Sequence, residues 1–537
     1  MSMFFIRANI VRITVKLFLF FTPLVIVAQD KLIIEVAAYG GGATDSLQPL
    51  WNYANQWGTY TPFTKGEGVL TGKVYYHFLD KKNISMRAGV AGVAKTDFSE
   101  SFIQEAFLRM KFWWFDVLGG MEAYSPVAYY DELSSGMFLV SSNARPVPRV
   151  TAGIFEYLPL GFTKNWLEVR GGMSQGFLGD RGPVGNSDVL LHEKWAYVRL
   201  GKVKWKPYAG IVHSALFGGV KPNGEKIPID FLATFLAKGS EKIGGGDATN
   251  AAGGHMGLWD FGLYFPLKEW QGHIYYQKPF TDGSGMRIWN FRNKDFYLGL
   301  LLKKDNKSII SGLNIELIKT SWGSGPGTPD PWDPEENHIV FPNEIEDIDE
   351  YMWERFGLEK EGWDSHDLTE FLEDEWNYGY DFGGRDPYMN NGLYPGGWTH
   401  NDLSMGTPLF HTEKTASYYS KDFGAGNDMY FINNRVNGFH VGVEGWLNDL
   451  LFYRVKGTYT NNKGNYCREY GSCNVWDQSP DYFYLGGKNQ FYTGLELNWQ
   501  LKQKLPLTLT ANLGCDFGEL YNSCGGRLGV VYRWSVK

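Results

Sequence analysis

The chain has 537 residues, a formal net charge of −8, 16% aromatic residues and 66 glycines, a glycine share well above the ~7% of ordinary soluble domains. Charged residues make up 20% and the mean hydropathy is −0.30, which excludes both a disordered chain and a helical membrane protein. No basic face is large enough for nucleic acid, and beyond the N-terminus nothing approaches the ~20 apolar residues of a spanning helix.

The first residues set Arg7, Arg12 and Lys16 before an apolar run over 17–27 and the small residue Ala28. That order reads as a secretory signal peptide over 1–28, with the mature protein starting at Gln29. An uncleaved anchor helix is the alternative, and the apolar core is short for it. No Cys stands at the cleavage point, which argues against a lipoprotein anchor.

Beyond residue 30 helical periodicity is scarce and strict alternation is frequent. The spacing predicts eighteen strands, at 31–41, 69–79, 85–94, 101–111, 116–124, 149–157, 165–175, 193–201, 205–214, 257–265, 270–279, 294–302, 308–320, 436–447, 450–460, 489–501, 506–515 and 525–537. In the sixteenth, Phe491, Leu495, Leu497 and Trp499 alternate with Tyr492, Gly494, Glu496 and Asn498. A soluble sandwich alternates too, but over ~100 residues rather than through a whole chain of this length. Every second connector is short (80–84, 112–115, 158–164, 202–204, 266–269, 303–307, 448–449 and 502–505), and most of the others are long. The expected fold is therefore all-β: a transmembrane antiparallel barrel of about 18 strands over 29–537, with short periplasmic turns, long extracellular loops and periplasmic termini.

A barrel of that size has a water-filled lumen unless something occupies it. Residues 45–58, with Leu47, Leu50, Trp51 and Trp57, are the candidate helical plug. The glycine runs at 40–42, 244–246 and 323–327 lack the strand–helix setting of a nucleotide loop and read as flexible loops.

A long loop over 324–430 follows the thirteenth strand. Between Asp330 and Asp386 it holds 20 acidic residues against Arg355, Lys360 and Arg385, a local charge of −17. Such a block belongs in water rather than in a barrel wall. Ile345, Ile348, Met352 and Phe356 keep helical spacing, as do Leu368, Phe371, Leu372 and Trp376 behind Asp364 as N-cap. Two readings stand side by side. Trp353, Trp363, Trp376 and Trp398 could offer aromatic faces to sugars while carboxylates accept hydroxyl hydrogen bonds, or the aromatics could form the lid's own small core. Calcium is not expected, since the run Asp330-Pro-Trp-Asp-Pro-Glu-Glu336 does not match an EF-hand.

Charges expected in the lumen form a second group. Arg145 and Arg149 leave a proline-stiffened loop, His192 and Arg199 flank the eighth strand, and Glu168, Arg170, Glu444, Arg454 and Glu496 fall on inward faces. Arginine forks suit acidic glycans. A salt-bridge network that stiffens the barrel is the alternative, and only Arg145 and Arg149 are carried as glycan-binding candidates. Of the four cysteines, Cys467 and Cys473 share one long loop, and Cys515 and Cys524 close the last hairpin. Both local pairs are disulfide candidates in an exported protein, although four cysteines allow three connectivities. Neither spacing is the C-x2-C of a zinc site.

Several stretches resemble the capsule assembly Wzi family in its Bacteroidetes-type form. They are Pro49-Leu-Trp-Asn-Tyr-Ala-Asn-Gln-Trp-Gly58, Asp131-Glu-Leu-Ser-Ser-Gly136, Ser142-Asn-Ala-Arg-Pro-Val-Pro-Arg149 and Leu191-His-Glu-Lys194. Arg385-Asp-Pro-Tyr-Met-Asn-Asn-Gly-Leu-Tyr-Pro-Gly-Gly-Trp398, Gly406-Thr-Pro-Leu-Phe410 and Asn434-Arg-Val-Asn-Gly-Phe-His-Val-Gly442 continue the likeness. The resemblance implies an eighteen-strand outer-membrane barrel that binds surface polysaccharide and helps hold capsule on the cell. It also implies helical segments on the periplasmic side, for which 45–58 is the N-terminal candidate. The acidic segment at 330–386 and the terminal Val-Lys depart from the pattern.

No catalytic residue set comes with that resemblance, and no G-x-S-x-G, H-E-x-x-H or P-loop motif occurs. A non-enzymatic, lectin-like protein without a cofactor is expected. Its partners would be capsular or other surface polysaccharide, outer-membrane lipid and the barrel-assembly machinery. A diffusion porin with an open lumen is the competing expectation.

Overall fold

In the computed structural model eighteen antiparallel strands hydrogen-bond edge to edge and close on themselves. The structure describes residues 31–536 apart from 82, 180–184, 245–250, 282–284, 287–292, 325–331, 334, 337, 341–344, 360–361, 377–386, 421–429, 466–482 and 503–504. The strands are β1 (Lys31–Ala43), β2 (Gly66–Lys81), β3 (Ile84–Lys95), β4 (Phe102–Phe112), β5 (Phe115–Met121), β6 (Arg149–Pro159), β7 (Leu167–Leu178), β8 (Val189–Leu200) and β9 (Lys206–Phe217). They continue as β10 (Gly254–Leu267), β11 (Trp270–Phe280), β12 (Phe296–Lys303), β13 (Gly312–Lys319), β14 (Val436–Asn448), β15 (Leu451–Asn462), β16 (Lys488–Lys502), β17 (Leu505–Gly518) and β18 (Ser523–Val536). Each strand pairs with its sequence neighbour, and β1 pairs with β18 from Leu32↔Val536 to Ala43↔Gly525. Closure leaves no edge, so every wall N–H and C=O has an internal partner.

All eighteen strands lie where alternation predicts them, with local shifts that have visible causes. β12 starts at Phe296 because Asn293 Oδ1 takes the Asp295 N–H at 3.0 Å. β13 starts at Gly312 rather than 308, because Ser308 donates to the Ile310 carbonyl and Tyr453 to that of Ile309. The run Gly40, Gly41 and Gly42 is no loop but the end of β1. A Cβ at Gly41 would stand 2.4 Å from the Gly526 carbonyl oxygen, so the seam between first and last strands needs glycine there.

Outward residues are apolar and exposed, among them Val74, Leu108, Met173, Leu317, Leu513 and Val530. Aromatic belts bound this band. Near the short turns, Trp113, Trp114, Trp166, Trp205, Trp499 and Trp534 are exposed. Toward the long connectors, Phe439, Tyr459, Phe491 and Phe517 stand in one register across β14 to β17. An apolar band between aromatic girdles is the surface that lipid requires. No helix among the described residues is long and apolar enough to cross a membrane.

Among the described residues, three stretches of the long connectors fold back into the lumen: 44–65, 122–148 and 387–420 with 430–435. Their buried residues, including Leu47, Leu50, Trp51, Phe138, Leu139 and Phe410, belong to one apolar core inside the barrel. The 45–58 stretch holds only the four-residue helix α1 (Leu50–Tyr53). This corrects the periplasmic helical segment implied by resemblance, since the segment joins β1 to β2 at the long-connector end. Wall and plug meet closely: a Cβ at Gly442 would lie 2.1 Å from the Leu133 carbonyl oxygen. Gly442→Val is therefore expected to push 122–148 off β14, destabilising the folded barrel by about 1–3 kcal/mol. A lowered midpoint of heat modification on gels would report it.

Candidate functional site

The plug is held by polar bonds whose wall partners come from distant strands. Asp516 of β17 accepts the Leu50 N–H at 2.7 Å and so caps α1 from across the lumen. Arg527 of β18 donates to the Asn52 carbonyl at 2.8 Å and stacks on Tyr60, its guanidinium carbon 3.2 Å from the ring centroid. Lys456 of β15 lies 3.9 Å from the Trp51 ring centroid. In the second segment, Glu316 accepts the Ser135 N–H at 2.7 Å, and His440 contacts the Leu133 carbonyl at 2.9 Å. Asp260 of β10 accepts from Tyr129, Tyr197 and Tyr208.

The three segments also bind one another. Trp57 and Gly58 donate backbone N–H groups to the Ser142 and Asn143 carbonyls, at 2.5 and 3.1 Å. Gly58 sits at φ 62°, and a Cβ there would meet the Arg145 Cγ at 2.7 Å, so only glycine suits both constraints. Ser141 N–H bonds the Met405 carbonyl at 2.9 Å, and Thr407 N–H bonds that of Phe138 at 3.1 Å.

Toward the short-turn end the lumen stays open as a vestibule. A cavity of about 570 Å³ runs from Trp51 and Asn52 down to Trp446, Phe452 and Gln500. A neighbouring cavity of about 450 Å³ shares Glu35, Tyr39, Asn55, Gln56, Tyr60 and Glu132 with it. Several lumen arginines are paired with carboxylates. Arg454 bonds Glu444 at 2.9 Å and Glu496 at 2.7 Å, Arg199 bonds Glu168, and Arg109 bonds Asp116 at 3.2 Å. An arginine neutralised in this way braces the wall more than it attracts an anion.

The candidate glycan residues do not converge. Arg149, its side chain 10% exposed, bonds Glu193 at 2.7 Å and the Tyr124 carbonyl at 2.9 Å. Arg145 lies 3.5 Å from the Phe102 ring centroid and donates to Asn401 at 3.3 Å. Trp398 is 3% exposed and donates its indole N–H to the Leu139 carbonyl at 2.9 Å, inside the plug core. His192 does not face the lumen. Glu193, which shares its lumen face with Arg149, fixes the register, so His192 and Lys194 point outward.

The acidic loop carries helices α3 (Ile348–Phe356) and α4 (Ser365–Trp376). Asp347 caps the first, and Asp364 accepts the Asp367 N–H at the start of the second. Val340, Met352, Leu368 and Leu372 form a separate small core, against which Tyr351, Phe356, Trp363 and Phe371 pack. Trp353 is 52% exposed on α3, whereas the Trp376 side chain lies outside the described residues. Arg355, on the same helix, bonds Asp333 at 2.6 Å and Glu335 at 3.1 Å. Cys515 and Cys524 are joined across the β17–β18 hairpin; Cys467 and Cys473 lie outside the described residues.

The sequence carries little sign that 122–148 and 387–435 belong to the plug. The clue available was composition: runs such as Ser134-Ser-Gly-Met-Phe-Leu139 are too apolar and too poorly charged for solvated loops.

No family model matches the chain, and no curated protein does. Among solved structures, the fold is similar to that of Wzi, an outer-membrane protein involved in group 1 capsule assembly in Escherichia coli and described as a carbohydrate-binding β-barrel. The TM-score is 0.50 at 12% identity, over 93% of this chain and 83% of that one. OccK5 (OpdH) of Pseudomonas aeruginosa aligns with a TM-score of 0.44 at 8% identity, over 95% of this chain and 99% of that one. At these identities the likeness to Wzi is one of fold: a closed eighteen-strand antiparallel barrel of the outer-membrane kind.

The fold of the second plug segment has a pH signature. Asp131 accepts the Ser142 N–H at 2.7 Å, and burial raises its carboxyl from 3.8 to about 7, with the hydrogen bond from Ser142 opposing the shift. A folded-state value above the unfolded one means that the folded form holds the proton more tightly. The stability from neutral Asp131 is complete below pH ~4 and is lost as pH rises toward about 7. The midpoint of thermal unfolding should fall across that window in the wild type, and Asp131→Asn should flatten the dependence.

Proposed function

We propose that the chain is an outer-membrane barrel of the capsule assembly type that binds surface polysaccharide and helps assemble or retain capsule, without catalysis. In this reading it is exported on a cleaved signal peptide and inserted by the barrel-assembly machinery. The observation that carries the reading is the occupied lumen. The described residues of connectors 44–65, 122–148 and 387–435 pack a shared apolar core inside the barrel, which supports a plugged lumen over an open one. The fold likeness to a carbohydrate-binding barrel and the quoted sequence stretches support the choice of ligand. A porin reading has the vestibule in its favour, but that cavity ends against Trp51, Asn52 and Tyr60 of the plug.

On the long-connector side, Trp353 is the glycan candidate whose ring is open to solvent. It stands on a helix whose first turn carries Asp349 and Glu350, so an aromatic face and hydroxyl-accepting carboxylates are close together. Trp363 and Trp398 support the surfaces beneath. Trp353→Ala should weaken binding of the strain's own capsular polysaccharide roughly fivefold, for a contact of about 1 kcal/mol, while the barrel stays heat-modifiable on gels. In planar bilayers the purified protein should show no large steady openings. Removal of the gene should release polysaccharide into the medium. Steady large conductance together with unchanged capsule retention would favour the channel.

A further inference from the structure

One connector does not enter the lumen. The described residues between β9 and β10, 218–244 and 251–253, lie on the outside of the wall, and they carry the short helix α2 (Phe231–Leu236). Its place is fixed by what it covers. On β8 to β10 the lumen face is marked by Tyr197, Tyr208 and Asp260, which bond to one another. The residues of opposite parity, His192, Lys194, His213 and His255, are therefore on the outer face, and the register confirms the pairing Lys194↔His213↔Gly257. Yet His192, His213 and His255 are 0%, 5% and 8% exposed. The connector buries them. Lys194 donates to the Phe235 carbonyl and lies 4.3 Å from that ring's centroid. Phe231 and Phe235 flank the His192 ring at 5.7 and 5.4 Å. His255 contacts His213 at 3.1 Å and the Ala252 carbonyl at 3.0 Å.

The connector's other side is apolar. Ile229, Phe231, Leu232 and Leu236 are 56%, 45%, 64% and 47% exposed. Ile229 stands over Gly218 and Leu190, and exposed Phe177 and Met173 of β7 continue the surface into the outward band.

We propose that the described part of this connector is a membrane-embedded apron, with α2 lying against the barrel's outer wall and presenting Ile229, Phe231, Leu232 and Leu236 to lipid acyl chains. The inference rests on the outer-membrane reading above. Two observations meet in it. A charged Lys194 and three imidazoles facing lipid directly would be costly, and the connector supplies their partners and excludes the chains. A short apolar helix that covers polar wall residues with its phenyl rings and a backbone carbonyl, and exposes apolar side chains outward, suits a membrane boundary. Acyl chains are the occupant because the exposed patch continues the barrel's own lipid-facing band without a polar break at Ile229, Leu190 and Phe177.

The test uses the full-length, disulfide-intact protein in lipid vesicles, with an environment-sensitive fluorophore on single introduced cysteines and the unsubstituted protein as labelling blank. Leu232→Cys probes α2, and exposed Asn223→Cys probes the turn at the connector's tip. Leu528→Cys, 70% exposed on the outward face of β18, probes the wall. The Leu232 label should lose most of its emission to spin-labelled acyl chains and none to iodide, as the Leu528 label does, while the Asn223 label shows the reverse. A Leu232 label quenched by iodide would overturn the apron, and one shielded from both quenchers would replace lipid with a second copy of the chain. If the Leu528 label also ignored the lipid quencher, the membrane reading itself would fall.

Discussion

Everything in this molecule follows from the demand that wall backbone groups find partners inside the structure. In hydrocarbon an unpaired N–H or C=O costs several kcal/mol, so the eighteen strands must close, and β1 must meet β18 in full register. Closure at this strand number opens a wide lumen. The lumen creates the second problem, because three connectors that fill it bring their own backbone groups into a space with little water. The wall solves it with side chains. Asp516 caps α1, Glu316 takes the Ser135 N–H, and Arg527 satisfies the Asn52 carbonyl. The buried carboxylates and arginines of the inward faces are thus the plug's missing backbone partners.

The same logic separates the two kinds of charge along the strands. Where the plug packs on the wall, a single carboxylate can receive several donors, as Asp260 does from three phenols. Where the lumen remains wet, charges pair with one another, as Arg454 does with Glu444 and Glu496. On the outer face of β8 to β10 the polar residues His192, His213 and His255 lie under cover, which the apron supplies.

Strand positions were legible because their signal is local: alternation over about ten residues and a two-to-seven-residue turn. The helices of the acidic loop were legible for the same reason, down to the capping Asp364. What alternation cannot reveal is where a connector returns. A polar inward residue looks the same in sequence whether it faces water or a plug, so 122–148 and 387–435 were not readable as core. His192 was placed inward because polarity stood in for parity, and the apron breaks that equivalence. Gly40, Gly41 and Gly42 were read as loop because glycine has no side chain to alternate, although the seam needs them inside a strand. Trp398 and Arg149 were chosen by residue type, and type does not report that both are packed against neighbours.

The start of the first plug segment is bonded to the last hairpin. Leu50 and Asp516 are 466 residues apart, Asn52 and Arg527 are 475, and Leu47 and Ser523 are 476. Loop-closure entropy must be overcome before such contacts return anything. Asp516 stands on β17, whereas Arg527 and Ser523 stand on β18, so two of these three bonds need the final strand. The docking of 44–65 is therefore complete only when the seam between β1 and β18 has formed. Order of synthesis is thereby written into the architecture: the first connector made waits for the last hairpin, and its docking is a local report that the ring is complete.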